Sequence, residues 1–148
     1  MQDQAAAITP EQIALVQLSF DKIAPISATA GALFYRRLFE LDPGLRPLFT
    51  SDLQLQSRKL MAMIELIVDN LSRFETLRPQ VEALGLAHVG YGAQDAHYDT
   101  VEAALLWALQ LSLEEQFTPA VEAAWGLAYA LIAATMRAAA RGAVSANP

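Results

Sequence analysis

The chain has two histidines, and His88 stands where an imidazole can do chemistry. It follows Val81 and Leu84 at helical spacing, so all three share one face, and Gly90 and Gly92 close the helix behind it. A neutral imidazole aimed at apolar neighbours can donate to a backbone carbonyl as a core residue, or it can ligate a metal. Cysteine is absent, which excludes disulfides, thiolate sites and cysteine nucleophiles. Any metal must then be held through His, carboxylate or a prosthetic group. Two further polar residues point inward. Tyr35 lies among Leu33, Phe34 and Leu38, and Gln56 precedes Leu60 by one helical turn on the stripe Leu60, Ile64, Ile67, Leu71. Each could donate to a small ligand; equally, Tyr35 could be a core aromatic bonded to a carbonyl, and Gln56 a partly solvated residue near a helix start. Phe49 and the pair Met61 and Met63 read first as packing residues.

The elements that would position these groups are all helical. Thr9-Pro10-Glu11-Gln12 reads as a capped start, with Ile13, Val16, Phe20 and Ile23 as the inward stripe and Pro25 as the stop. A second helix is expected from Ser27, and a short third one from Asp42-Pro43 to Leu48-Phe49. Ser51 and Gln54 suggest a capping box for a fourth. Arg78-Pro79 is expected to open the helix that carries His88, and Asp95 the next, with Tyr98, Val101, Leu105, Ala108 and Leu109 inward. Thr118-Pro119 starts the last, with Val121, Trp125, Ala128, Ile132 and Thr135 inward and Gly142 as its stop. His97 is expected to face solvent. No strand alternation and no repeat is seen, so the fold class is all-α with about seven helices: a folded domain over residues 9–142, with tails at 1–8 and 143–148.

Composition narrows the function classes. The chain has 148 residues, 54% of them hydrophobic, which fits one domain with an ordinary core. Net charge is −6, and the basic residues are scattered, so nucleic acid is not an expected partner. Mean hydropathy is +0.27, yet the longest uncharged run of the C-terminal half, 123–136, falls short of the roughly 20 apolar residues of a membrane span. The N-terminus lacks the basic start and apolar run of a signal peptide, so a cytoplasmic location is expected.

Over residues 9–136 the sequence resembles bacterial single-domain globins and the globin domain of flavohaemoglobins. Leu33-Phe-Tyr-Arg-Arg-Leu-Phe39 and Asp42-Pro-Gly-Leu-Arg-Pro-Leu-Phe49 are similar to that family's second and third helices. Gln56-Ser-Arg-Lys-Leu60 resembles its distal motif. His88-Val-Gly-Tyr-Gly-Ala, with His97-Tyr98 nine residues on, and Ala-Trp125-Gly-Leu-Ala-Tyr129 resemble its proximal side.

The resemblance implies a globin-like fold around haem b, with His88 as the protein ligand to iron and Tyr98 in the shell behind it. Tyr35 and Gln56 would face a bound diatomic gas, with Leu60 over the haem and Phe49 packed on it. Leu84 and Val101 would contact the ring, and Lys59 would meet a propionate unless it is an ordinary solvated lysine. The family's close members carry a Glu fifteen residues after the Trp, bonded to the matched Tyr; here that position is Ala140. No flavin or nicotinamide segment is recognised before Pro148. The expected role is reversible O2 binding for storage, delivery or sensing, with NO and CO as further ligands. The alternative is a nitric oxide dioxygenase fed by a reductase in trans, and a haem-free helical regulatory domain is a third reading.

Overall fold

The protein is described here by a computed structural model covering residues 8–50, 52–90 and 94–146. Among the described residues there are six α-helices and no strand: α1 (Pro10–Ile23), α2 (Ser27–Leu41), α3 (Leu53–Asp69), α4 (Phe74–Gly90), α5 (Asp95–Leu113) and α6 (Pro119–Ala146). The main packed pairs are α4 on α6, α2 on α5, α2 on α3 and α1 on α6.

Local chemistry accounts for most helix starts. At α1 the Gln12 amide donates to Thr9 Oγ1 at 3.1 Å and the Thr9 amide to Gln12 Oε1 at 2.9 Å, a reciprocal cap that stabilises by about 1 kcal/mol. Thr118 Oγ1 accepts from the Val121 amide at 3.2 Å and caps α6. For α3 the capping group is Asp52, whose carboxylate accepts from the Leu55 amide at 3.3 Å; the expected Ser51 cap lies outside the described residues.

Three boundaries differ from the sequence reading. The expected short third helix is a 3-10 segment, Pro43–Leu48, with Pro47 inside it, because a proline without N–H cannot extend an α-helical ladder. The helix bearing His88 starts at Phe74, not Arg78, and contains Pro79. A 3-10 turn at Leu71–Arg73 feeds directly into it, and the Glu75–Arg78 pair at 2.9 Å braces its first turn. Gly142 does not stop α6, which runs on to Ala146; a lone helical glycine costs only about 1 kcal/mol relative to Ala. Gly92, the other expected stop, lies outside the described residues.

Two close crossings fix the frame. A Cβ at Gly31 would collide with Ser57 Oγ, so α2 and α3 touch there at near-backbone distance. A Cβ at Gly85 would fall 2.5 Å from the Met136 carbonyl oxygen and 2.7 Å from its Cα, so α4 lies directly on α6 one turn before His88. By length and hydropathy α6 passes as a membrane span over Pro119–Gly142. Its apolar residues, however, include Ala124, Trp125, Ala128, Ala133 and Met136, all buried in the core.

Candidate haem site

α3, α4, α5 and α6 together enclose a cavity of about 350 Å³, within the usual range for small-molecule sites, roughly 300–1,000 Å³. Its walls are apolar: Leu60, Met63, Ile64 and Ile67 from α3, Leu84 from α4, Val101 and Leu105 from α5, and Trp125, Ala128, Ile132, Ala133 and Met136 from α6. The polar side chains on it are few, namely Lys59, His88, His97, Tyr98, Tyr129 and the Trp125 indole. Lys59 is exposed and His97 half-buried, so these two mark the rim.

His88 is half-buried on the α4 wall. Its Nδ1 lies 2.8 Å from the Leu84 carbonyl oxygen, one turn back on the same helix. A carbonyl only accepts, so Nδ1 carries the hydrogen; in the neutral ring the lone pair is then on Nε2. That is the tautomer in which an imidazole ligates iron, its other nitrogen held by an outer partner.

Tyr98, on α5, also lines the cavity. The Arg137 guanidinium sits over its ring at 4.5 Å and pairs with Asp95 at 3.4 Å and Asp99 at 3.9 Å. Burial pushes the Tyr98 phenol up, with Arg137 pulling it back and Asp95 adding to the rise. Tyr129 donates to the Tyr98 carbonyl at 2.6 Å, tying α6 to α5, and its phenol is pushed strongly up, chiefly by burial and then by the charge of Glu102.

The structure brings His88, Lys59, Leu60, Leu84, Tyr98 and Val101 to this one cavity. Tyr35, Gln56 and Phe49 are not among the residues lining it. On α2 it is Phe34 that reaches the cavity, and Tyr35 fronts a groove of about 640 Å³ between α2 and α3. Tyr35 is 5% exposed, with the Phe34, Phe49 and Phe39 rings centred 5.0, 5.5 and 6.0 Å away. Burial pushes its phenol up to about 12, and a hydrogen bond with Gln56 limits the rise. Phe49 packs on Tyr35 and Phe39, each at 5.5 Å.

His97 departs from the solvent-facing position expected of it. At the third position of α5 its Nδ1 accepts from the Gln94 amide at 3.0 Å, a capping-box contact that turns the ring toward the cavity. Sequence reasoning read Met63 as a packing residue only, named Tyr129 only within the proximal-side match, and left Met136 without a role. Met63 shares the helical spacing of Leu60 and Ile67, a signal that was available.

A family model for globins matches residues 32–136. The chain is a globin. Its relatives include a flavohaemoprotein of Xylella fastidiosa, 32% identical over 132 residues, an alignment covering 87% of this chain and 33% of the flavohaemoprotein. The globin thus spans about a third of the length of that relative. Among solved structures, a bacterial globin from Campylobacter jejuni superposes with a TM-score of 0.81 at 25% identity, covering 93% of this chain and 99% of its own. An engineered carbene transferase from Rhodothermus marinus gives a TM-score of 0.86 at 24% identity, covering 95% and 98%, and shares the fold. Globins hold haem, and the residues present fit that group: an apolar cavity of about 350 Å³, an imidazole on its wall whose Nδ1 is bonded to a carbonyl, and a lysine and a histidine at the rim for anionic carboxylates.

Proposed function

We propose that this globin holds haem b through His88 and binds O2 reversibly, for storage, delivery or sensing. Haem, when bound, supplies an iron that takes up O2, NO or CO. The observation that carries the reading is the hydrogen bond from His88 Nδ1 to the neutral Leu84 carbonyl, at 2.8 Å. A carbonyl partner leaves the imidazole less electron-donating than a carboxylate partner would. With Ala140 where close relatives of the flavohaemoglobin type carry Glu, and Arg137 on the Tyr98 ring, the proximal side favours reversible binding over oxidative turnover.

On the distal side, Leu60 lines the cavity and would cover the iron face; Tyr35 and Gln56 do not line it here, so for this pair to supply the donor it would have to reach past Leu60 from the α2–α3 side once haem and gas are bound. The phenol, pushed up to about 12, stays protonated and able to donate across the physiological range. Lys59 and His97, which line the cavity rim, would hold the propionates.

A nitric oxide dioxygenase role, with electrons from a flavin reductase in trans, is the second reading. Its support is the likeness to a flavohaemoprotein. Sustained NO consumption separates the two. A storage or sensing globin consumes about one equivalent of NO per haem and then stops, whereas steady turnover with NADH and a generic flavin reductase would replace the first reading with the second.

A further inference from the structure

The groove between α2 and α3, about 640 Å³, is large enough for a small molecule, whose sites run roughly 300–1,000 Å³. It shares no lining residue with the haem cavity. Helical spacing builds it: Ala32, Tyr35 and Phe39 lie along one face of α2, and Ser57 and Met61 along one face of α3. Arg36 on α2 and Arg58 on α3 line it as exposed side chains.

Its charge runs against that of the molecule. The chain carries a net −6, yet among the described residues two arginines and no carboxylate line the groove. Arg36 pairs with Glu40 at 3.4 Å, but the two side chains are 69% and 45% exposed, and water screens such a pair. Arg58 has no ion-pair partner among the described residues. The floor is aromatic and thioether: the Tyr35 and Phe39 rings are centred 6.0 Å apart with their planes 31° apart, and a Met61 sulfur packs favourably against rings. Ser57 is 7% exposed and its hydroxyl has no hydrogen-bond partner, which costs free energy until an acceptor reaches it. A simple anion would leave the rings wet. A neutral apolar molecule would leave the two guanidinium groups against hydrocarbon. A flat ring bearing a carboxylate meets both demands, since a guanidinium takes a carboxylate through two parallel N–H···O bonds.

We propose that the α2–α3 groove is a binding site for a small aromatic carboxylate, its ring on Tyr35, Phe39 and Met61 and its charge on Arg58 and Arg36. The site stands apart from the reading of the larger cavity as a haem site.

Calorimetric titration of the haem-loaded protein with 1-naphthoate tests it, with and without CO, beside titrations with the neutral 1-naphthalenemethanol and with acetate. One equivalent of naphthoate should bind, equally with and without CO. The alcohol should bind at least about tenfold more weakly, and acetate should give no binding heat. Arg36→Ala and Arg58→Ala should each weaken naphthoate by about fivefold and reduce its preference over the alcohol, a ratio read within one protein. Ala32→Trp, at an exposed position of the groove, should fill the space and abolish binding. No binding of naphthoate, equal binding of the alcohol, or binding untouched by all three variants would overturn the proposal. So would displacement of naphthoate by CO, which would place it in the larger cavity.

Discussion

His88 donates its Nδ1–H to the carbonyl of Leu84 at 2.8 Å, a contact made within a single helix turn of α4. The acceptor is neutral and cannot move without unwinding the helix, so this contact fixes the imidazole's orientation and tautomer without itself lending it anionic character. Placing a carboxylate at position 140, where close relatives of the flavohaemoglobin type carry Glu, should change that. Ala140→Glu is expected to raise the iron–histidine stretching frequency of the ferrous protein and to lower the reduction potential, both read without turnover. Unchanged values would mean that the residue at position 140 does not communicate with His88.

The pairing of Tyr35 with Gln56 sets up a test of the distal side. A hydrogen bond to a charged acceptor contributes about 1.5–3 kcal/mol, and about 1.4 kcal/mol is tenfold in rate or affinity. Tyr35→Phe should therefore speed O2 dissociation by roughly 10- to 100-fold and CO dissociation far less. Gln56→Leu should give a smaller O2 effect, since it leaves the more rigid donor in place. Stopped-flow release of the two gases decides: an equal shift for both would make Tyr35 a packing residue of the three-phenylalanine cluster and not a donor.

Burial raises the Tyr35 pKa to about 12, which gives that donor a defined pH range. Below that value the phenol carries its proton and can donate; ionisation above it removes the donor. The slow O2 release attributed to Tyr35 should therefore be flat with pH through the neutral and mildly alkaline range and be lost only as pH approaches about 12. A Tyr35-dependent step in O2 dissociation near pH 7 would contradict this.

Gly85 and Gly126 form a matched pair. Alanine at Gly85 has to displace the Met136 backbone, and overpacking of that kind costs about 1–3 kcal/mol. It should also shift the iron–histidine stretch, because α4 carries His88 one turn further on. Gly126→Ala meets nothing within 4 Å and should be neutral or stabilise by up to about 1 kcal/mol through helix propensity. Denaturant melts and resonance Raman spectra of the two variants check both halves; a destabilised Gly126→Ala would show that crowding at Gly85 is not what distinguishes them.

Legibility in the sequence followed physical range. Short-range chemistry was readable: the Thr9 and Gln12 box, the Thr118 cap, and the stripes that bring Leu60, Leu84, His88 and Val101 to one cavity. The prolines were misplaced: Pro47 lies inside a 3-10 segment, where an α-helix was expected, and Pro79, expected to open a helix, lies in the second turn of α4, which continues through it at the cost of one ladder hydrogen bond.

Which buried face meets which neighbour was not readable at all. Phe34 and Tyr35 are adjacent and both buried, and only the crossing of α2 over α3 and α5 sends Phe34 to the cavity and Tyr35 to the groove. His97 was misread for a related reason. A histidine near a helix start is ordinarily solvated, but here its Nδ1 is fixed by the Gln94 amide, which turns the ring toward the cavity.

The central claim is that His88 is the ligand that holds iron in this cavity, and His88→Gly measured against His97→Ala tests it most directly. Both proteins are reconstituted with haem, reduced, and followed by absorption spectra in the ferrous and CO-bound forms with and without added imidazole. The account predicts that His97→Ala keeps a wild-type ferrous spectrum. His88→Gly should lose the histidine-ligated form and recover it when free imidazole enters the space left by the side chain. A wild-type spectrum in His88→Gly without imidazole, or loss of the signal in His97→Ala in its place, would contradict the assignment.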